Sequence, residues 1–219
     1  MPIKFISLNY EFNEMIREYG YEAKMIPIQD YEPIPSRKTY YVSPANSLCF
    51  MDGGIDYALS RIVFPNIEPK IKGIVKNIGI KSYIGKYYLP IGSSIIVSDD
   101  NNSNKMLVVA PTMLLPQNVS MTDNAYYATM AVLYNVLVNC GENLDNIDIL
   151  FTSLCCGYGK MEAKQSVKQI IKGIDDYKNY KPNIYNENII INEPNLLQQP
   201  KYYQNTEWFN IHPSEILLC

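Results

Sequence analysis

Residues 42–56 read VSPANSLCFMDGGID. The run Thr39-Tyr40-Tyr41-Val42 that leads into them is β-branched and aromatic, which predicts a buried strand over 39–42. Ser43-Pro44-Ala45-Asn46-Ser47 then interrupts it with turn-forming residues. After Gly53-Gly54 the period changes, and Ile55, Ala58, Leu59, Ile62 and Val63 recur on one helical face. The stretch is thus a strand, a loop with an Asn, two acids and two glycines, and the start of an amphipathic helix. Such a loop suits an anionic or sugar ligand. Gly53 and Gly54 permit positive φ and close backbone approach. Free amides at a helix start hold anionic oxygens, and Asn46 can both donate to and accept from a sugar hydroxyl. On spacing alone, the simpler description is an ordinary strand–helix turn with Asp52 as the helix cap, because two adjacent glycines are a weak signal.

Working outward, the same alternation recurs. Residues 3–8 (IKFISL) predict a short buried strand, and Phe12, Met15, Ile16 and Tyr19 follow at helical spacing up to Gly20. Residues 22–28 (EAKMIPI) predict a second strand, with Pro27, Pro33 and Pro35 marking an irregular connection. Downstream, Ile71, Ile74, Val75 and Ile78 form a helical face, and residues 94–98 and 106–110 predict two strands about an Asn-rich turn. Thr122 is placed to cap a helix over 123–139. Residues 147–151 (IDILF) predict a strand, and Val167, Ile170, Ile171 and Ile174 predict the inward face of a helix over 161–177. Strands alternating with helices predict a layered α/β domain over residues 1–177. Residues 178–219 are rich in Asn, Tyr, Gln, Lys and Pro and predict an irregular extension, in which Ile189-Ile190-Ile191 and Trp208-Phe209 are candidates to dock on the domain.

Composition narrows the function. The 219 residues carry a formal net charge of −3, with 47% hydrophobic residues. That is enough apolar material for a sizeable core, and the acidic balance disfavours nucleic acid as a partner. No membrane partner is expected, since no stretch is apolar enough to span a bilayer and no secretory leader is evident. The expected location is cytoplasmic or nuclear. The five cysteines fit neither a disulfide framework nor a zinc site. The lone histidine, His212, makes triad chemistry an unpromising reading. No metal and no organic cofactor is expected.

A second loop, FTSLCCGYGKM at residues 151–161, again follows an apolar strand and precedes a helix. In open α/β sheets ligands sit at the carboxyl ends of strands, so the two loops can converge on one ligand. Val42-Ser43-Pro44-Ala45-Asn46-Ser47 followed by Met51-Asp52-Gly53-Gly54-Ile55-Asp56 resembles the first signature of macro domains, which bind ADP-ribose. Leu89-Pro90-Ile91-Gly92, Leu107 to Met113, and Phe151 to Gly159 resemble later family segments in their order. The resemblance covers residues 22–177 and looks closest to the divergent macro-like branch with Pro-Ala-Asn-Ser and Met-Asp-Gly-Gly signatures. It implies a three-layer α/β/α domain with a mixed central sheet.

The resemblance also implies roles. Asp30 falls about where the family places an acid that binds the adenine amine. Asn46 would contact the distal ribose, and Gly53, Gly54 and the Ile55 amide would approach the diphosphate. Asp56 matches the acid that hydrolytic members use to position or activate water, with Asp52 assisting. Cys156, Gly157, Tyr158 and Gly159 would close the other side, with Tyr158 near the distal ribose. One departure is clear: where the family's second loop resembles Gly-Leu-Gly-Thr-Gly, this chain has Ser153-Leu154-Cys155-Cys156-Gly157. Side chains at Ser153 and Cys155 are expected to hinder backbone approach to phosphate and to make positive φ costly. The expected partner is ADP-ribose or an ADP-ribosylated protein. The expected activity is hydrolysis of an ADP-ribosyl linkage; the alternatives are a non-catalytic reader and a degenerate domain kept for interaction.

Overall fold

The computed structural model describes residues 3–82, 85–140 and 144–180. Strand β3 (Lys38–Ser43) lies inside a six-stranded sheet, between β8 (Ile147–Phe151) and β7 (Lys105–Val109). Both of its faces are covered, which explains an apolar run without alternation. Tyr40 and Val42 enter one core while Tyr41 enters the other. Beyond β8 the sheet continues with β1 (Ile3–Ile6) and β2 (Glu22–Lys24), and beyond β7 with β6 (Ile95–Ser98). The pairings β1–β2, β1–β8, β3–β8 and β3–β7 are parallel, and β6–β7 is antiparallel, so the sheet is mixed.

Helices cover both faces. On one, α1 (Tyr10–Glu18), α4 (Asn124–Cys140) and α5 (Ala163–Tyr180) pack Phe12, Ile16, Val132, Val136, Val167, Ile170 and Ile174 against Phe5, Ile149 and Phe151. On the other, α2 (Gly54–Ala58), a π-helical turn (Leu59–Val63) and α3 (Ile67–Ile78) pack Leu59, Ile67, Ile71 and Val75 against Tyr41, Leu107 and Leu150. This is the three-layer α/β/α arrangement. A short hairpin of β4 (Ile80–Lys81) and β5 (Tyr87–Tyr88) stands apart from the main sheet.

Several local expectations change. The strand expected over 22–28 stops at Lys24, because Pro27 opens a 3₁₀ turn over Ile28–Asp30. Ile62 belongs to the expected helical face yet is exposed. The cause is the widening of the helix after Ala58: the Phe64 amide donates to the Leu59 carbonyl five residues back, at 2.8 Å. A wider turn rotates the residues that follow off the core-facing stripe. The first turn of α4 is not capped by Thr122 alone, whose hydroxyl accepts only a long 3.4 Å bond from the Asn124 amide. Gln169 of α5 reaches across instead, and its Oε1 accepts from the amides of Ala125 (3.1 Å) and Tyr126 (3.3 Å). Residues 181–219, including Ile189-Ile190-Ile191 and Trp208-Phe209, lie outside the described residues. Among the described residues no helix is long and apolar enough to cross a membrane.

Candidate functional site

A cleft of about 610 Å³ opens at the carboxyl ends of the parallel strands β1, β2, β3, β7 and β8. Both the place and the size suit a nucleotide-sized ligand. The loop after β3 supplies Asn46 and Asp52 through Asp56, and the loop after β8 supplies Thr152, Ser153 and Cys155 through Gly159. The turns after β1 and β2 complete the wall with Ser7, Leu8 and the stretch Ile26–Gln29.

The first loop is stitched to the chain beyond β7, so its shape is fixed by neighbours. The Ala110 amide donates to the Ser43 carbonyl at 3.0 Å and the Thr112 amide to the Ala45 carbonyl at 2.9 Å. The Thr112 hydroxyl adds a 2.9 Å bond to the Pro44 carbonyl, and Asn46 bridges to Met113. Asn46 lines the cleft, while its amide braces its own loop: Nδ2 donates to the Phe50 carbonyl at 3.3 Å and Oδ1 accepts from the Phe50 amide at 3.4 Å. Gly54 sits at φ 53°, a left-handed conformation that favours glycine. Gly53, with no side chain, takes the cap position of α2, so Asp52 does not cap the helix; its side chain is exposed at the cleft edge.

Asp56 is the chemically distinctive group. It is partly buried, lines the cleft, and its Oδ1 accepts a 2.7 Å hydrogen bond from the Ser43 hydroxyl. Burial pushes its carboxyl up to about 7; the Ser43 bond opposes that rise and the charge of Asp52 adds to it. A carboxyl poised near neutrality in a cleft can exchange protons with water at physiological pH. The thiols are a different case. Burial pushes Cys49 and Cys155 up to about 12 and also raises Cys156. All three are therefore poor nucleophiles at neutral pH.

The second loop meets the first through Tyr158, whose ring lies so close to Gly53 that a Cβ there would stand 3.2 Å from Cε2. Gly159 is required by space, since a Cβ would fall 2.4 Å from the Cys155 carbonyl oxygen. Ser153 and Cys155 differ in what the backbone asks of them. Cys155 holds φ at 64°, the left-handed region where glycine is favoured, and its thiol is buried in the core. Ser153 has no such backbone demand, and its hydroxyl accepts from that of Ser7 at 3.0 Å. Asp30 ends the 3₁₀ turn with its side chain exposed and is not among the residues lining the cleft. Two features escaped the sequence reading. One is the Ser7–Ser153 pair. The other is Thr152, a buried residue on the cleft wall whose Oγ1 has no hydrogen-bond partner among the described residues. Thr152 directly follows the apolar strand read as β8, and a hydroxyl in that place was the available signal.

No protein-family model matches the chain, and no curated protein matches it either. Among solved structures the chain is similar to the macrodomain of Oceanobacillus iheyensis. A glycine-to-valine variant of that macrodomain with ADP-ribose has a TM-score of 0.52 at 17% identity, covering 68% of this chain and 73% of that one. A form with ADP has a TM-score of 0.52 at 17% identity, covering 68% and 71%. A form with MES has a TM-score of 0.53 at 17% identity, covering 69% and 73%. At such identity the likeness is one of fold, and the fold is of the macro type.

Proposed function

We propose that the cleft binds ADP-ribose and that the protein hydrolyses an ADP-ribosyl linkage on a modified protein, with Asp56 as general base. The observation that carries the reading is Asp56 itself: a partly buried carboxyl on the cleft wall, hydrogen-bonded by Ser43 and raised to about 7. Support for the ligand comes from the macro fold and from a neighbour of that fold solved with ADP-ribose. Among the described residues lining the cleft there is no Lys or Arg, and Asp52 and Asp56 are its charged groups. A diphosphate must therefore be held by backbone amides, as the glycines at 53, 54, 157 and 159 permit.

Asp56 takes a proton from a water molecule as the water oxygen bonds to the anomeric carbon, or to an attached acyl group. The bond to the modified side chain breaks, and the departing atom takes up the proton that Asp56 accepted, so that the carboxylate is restored, water is consumed and ADP-ribose is released. A positioned carboxylate contributes on the order of 10²–10⁴-fold as a general base. Asp52, exposed at the edge of the cleft, adds negative charge beside Asp56.

The test is single-turnover release of ADP-ribose from mono-ADP-ribosylated proteins of defined linkage. Wild type should turn over, Asp56→Asn should not, and both should bind ADP-ribose. Binding without turnover on any linkage would leave a reader of ADP-ribose instead.

A further inference from the structure

We propose that Ser43 is the positioning residue of Asp56: its hydroxyl fixes the carboxylate and stabilises its charge, leaving Oδ2 as the oxygen that accepts a proton. The inference rests on the reading of Asp56 as the base. Ser43 closes β3 and is fully buried, so its side chain is held by the sheet and not by the loop that follows. A hydroxyl has one proton to give. Two acceptors lie within its reach, the Asp56 Oδ1 at 2.7 Å and the Met51 sulfur at 3.8 Å. Thioether sulfur is a weak acceptor, so the proton points at the carboxylate. A hydrogen bond to an ionised group is short and roughly twice as strong as a neutral one, and it is strengthened further where water is scarce.

The surroundings make this bond matter. Asp52 and Cys49, both from the same loop, are the titratable groups whose charges couple to Asp56. Cys49 stays neutral across the working range, since burial holds it near 12. Asp52 adds negative charge and so opposes ionisation of Asp56. Burial opposes it more strongly, and the Ser43 hydroxyl is the contact that favours the ionised form. The base is thus tuned from the strand beneath it. That arrangement sets both where the free oxygen points and the pH at which it can act.

The experiment compares wild type, Ser43→Ala and Ser43→Thr in two ways. Carbon-13 NMR of the labelled Asp56 carboxyl, without ligand, gives its titration midpoint. Single-turnover release of ADP-ribose across pH gives the acid limb of activity. The expected result is a midpoint raised by about one pH unit or more in Ser43→Ala, an acid limb that moves with it, and a return toward wild type in Ser43→Thr, which keeps the hydroxyl. An unmoved midpoint in folded Ser43→Ala overturns the inference, even if activity falls. A raised midpoint in a protein that lacks turnover, or whose acid limb does not follow, upholds the hold of Ser43 on Asp56 and overturns Asp56 as the base.

Discussion

Burial raises the Asp56 carboxyl to about 7, whereas in the unfolded chain it would ionise near the ordinary value of 3.8. Between those values the folded protein holds a proton that the unfolded chain has released. The stabilisation is fully present below the unfolded value and is lost as pH rises through about 7. At pH 8 the ionised carboxylate therefore weakens the fold by roughly 2–4 kcal/mol. Asp56→Asn should raise the melting temperature at pH 8, and the gain should vanish in melts near pH 3.5; equal gains at both values would show that Asp56 is not buried as described. In wild type, turnover should rise with pH through about 7, because only the ionised form acts as a base. Thr152 poses the opposite question. Its hydroxyl is buried on the cleft wall without a partner among the described residues, so a ligand atom or water is its natural complement. Thr152→Val keeps the shape and removes the hydroxyl. The expected outcome is ADP-ribose binding weakened by about 3–10-fold with no loss of stability. Calorimetry and thermal melts on the same preparations would measure both, and unchanged affinity would remove Thr152 from the ligand site.

Among the elements, the second loop and α4 show why some features were legible in the sequence and others were not. The strand over 147–151 and the glycines at 157 and 159 follow from local signals, and the structure returns Ile147–Phe151 as β8. From the sequence, the backbone demand at Cys155 is a general cost of losing glycine, shared with Ser153. The structure localises it: φ is 64° at Cys155, while Ser153 carries none of it. Because the Cys155 thiol also fills the core, Cys155→Gly trades relief of about 1 kcal/mol for the loss of a buried side chain of similar worth. The two glycines nearby should behave differently. A Cβ at Gly157 meets nothing within 4 Å, whereas at Gly159 it strikes the Cys155 carbonyl. Gly157→Ala should therefore keep wild-type stability and weaken ADP-ribose binding, and Gly159→Ala should lower stability; urea titration distinguishes them, and equal stabilities would contradict the loop geometry. The cap of α4 was not legible, since it comes from Gln169, which is 44 residues from Ala125 along the chain. Gln169→Ala should cost about 1–2 kcal/mol in urea unfolding, and a cost near zero would return the capping role to Thr122.

At the scale of the whole molecule, the order of strands builds the site. The interior position of β1 brings Ser7 against Ser153, 146 residues away, and gives the cleft a wall from the turns after β1 and β2. Periodicity reveals that a strand exists but not which strands become its neighbours, so the first and second loops were legible and that wall was not. The same limit explains Asp30. Its place after β2 was readable, but the 3₁₀ turn that leaves its side chain exposed was not. What remains is a cleft of about 610 Å³ without Lys or Arg on its described wall, formed where two glycine-bearing loops meet. If backbone amides bind the diphosphate, and the loops after β3 and β8 hold the distal ribose, a ligand with one phosphate and no distal ribose loses most of its contacts. Isothermal titration of the 219-residue chain with ADP-ribose beside AMP tests this most directly. The account predicts saturable heat with ADP-ribose and much weaker binding of AMP. No binding of ADP-ribose at millimolar concentration, or equal affinity for the two ligands, would contradict it.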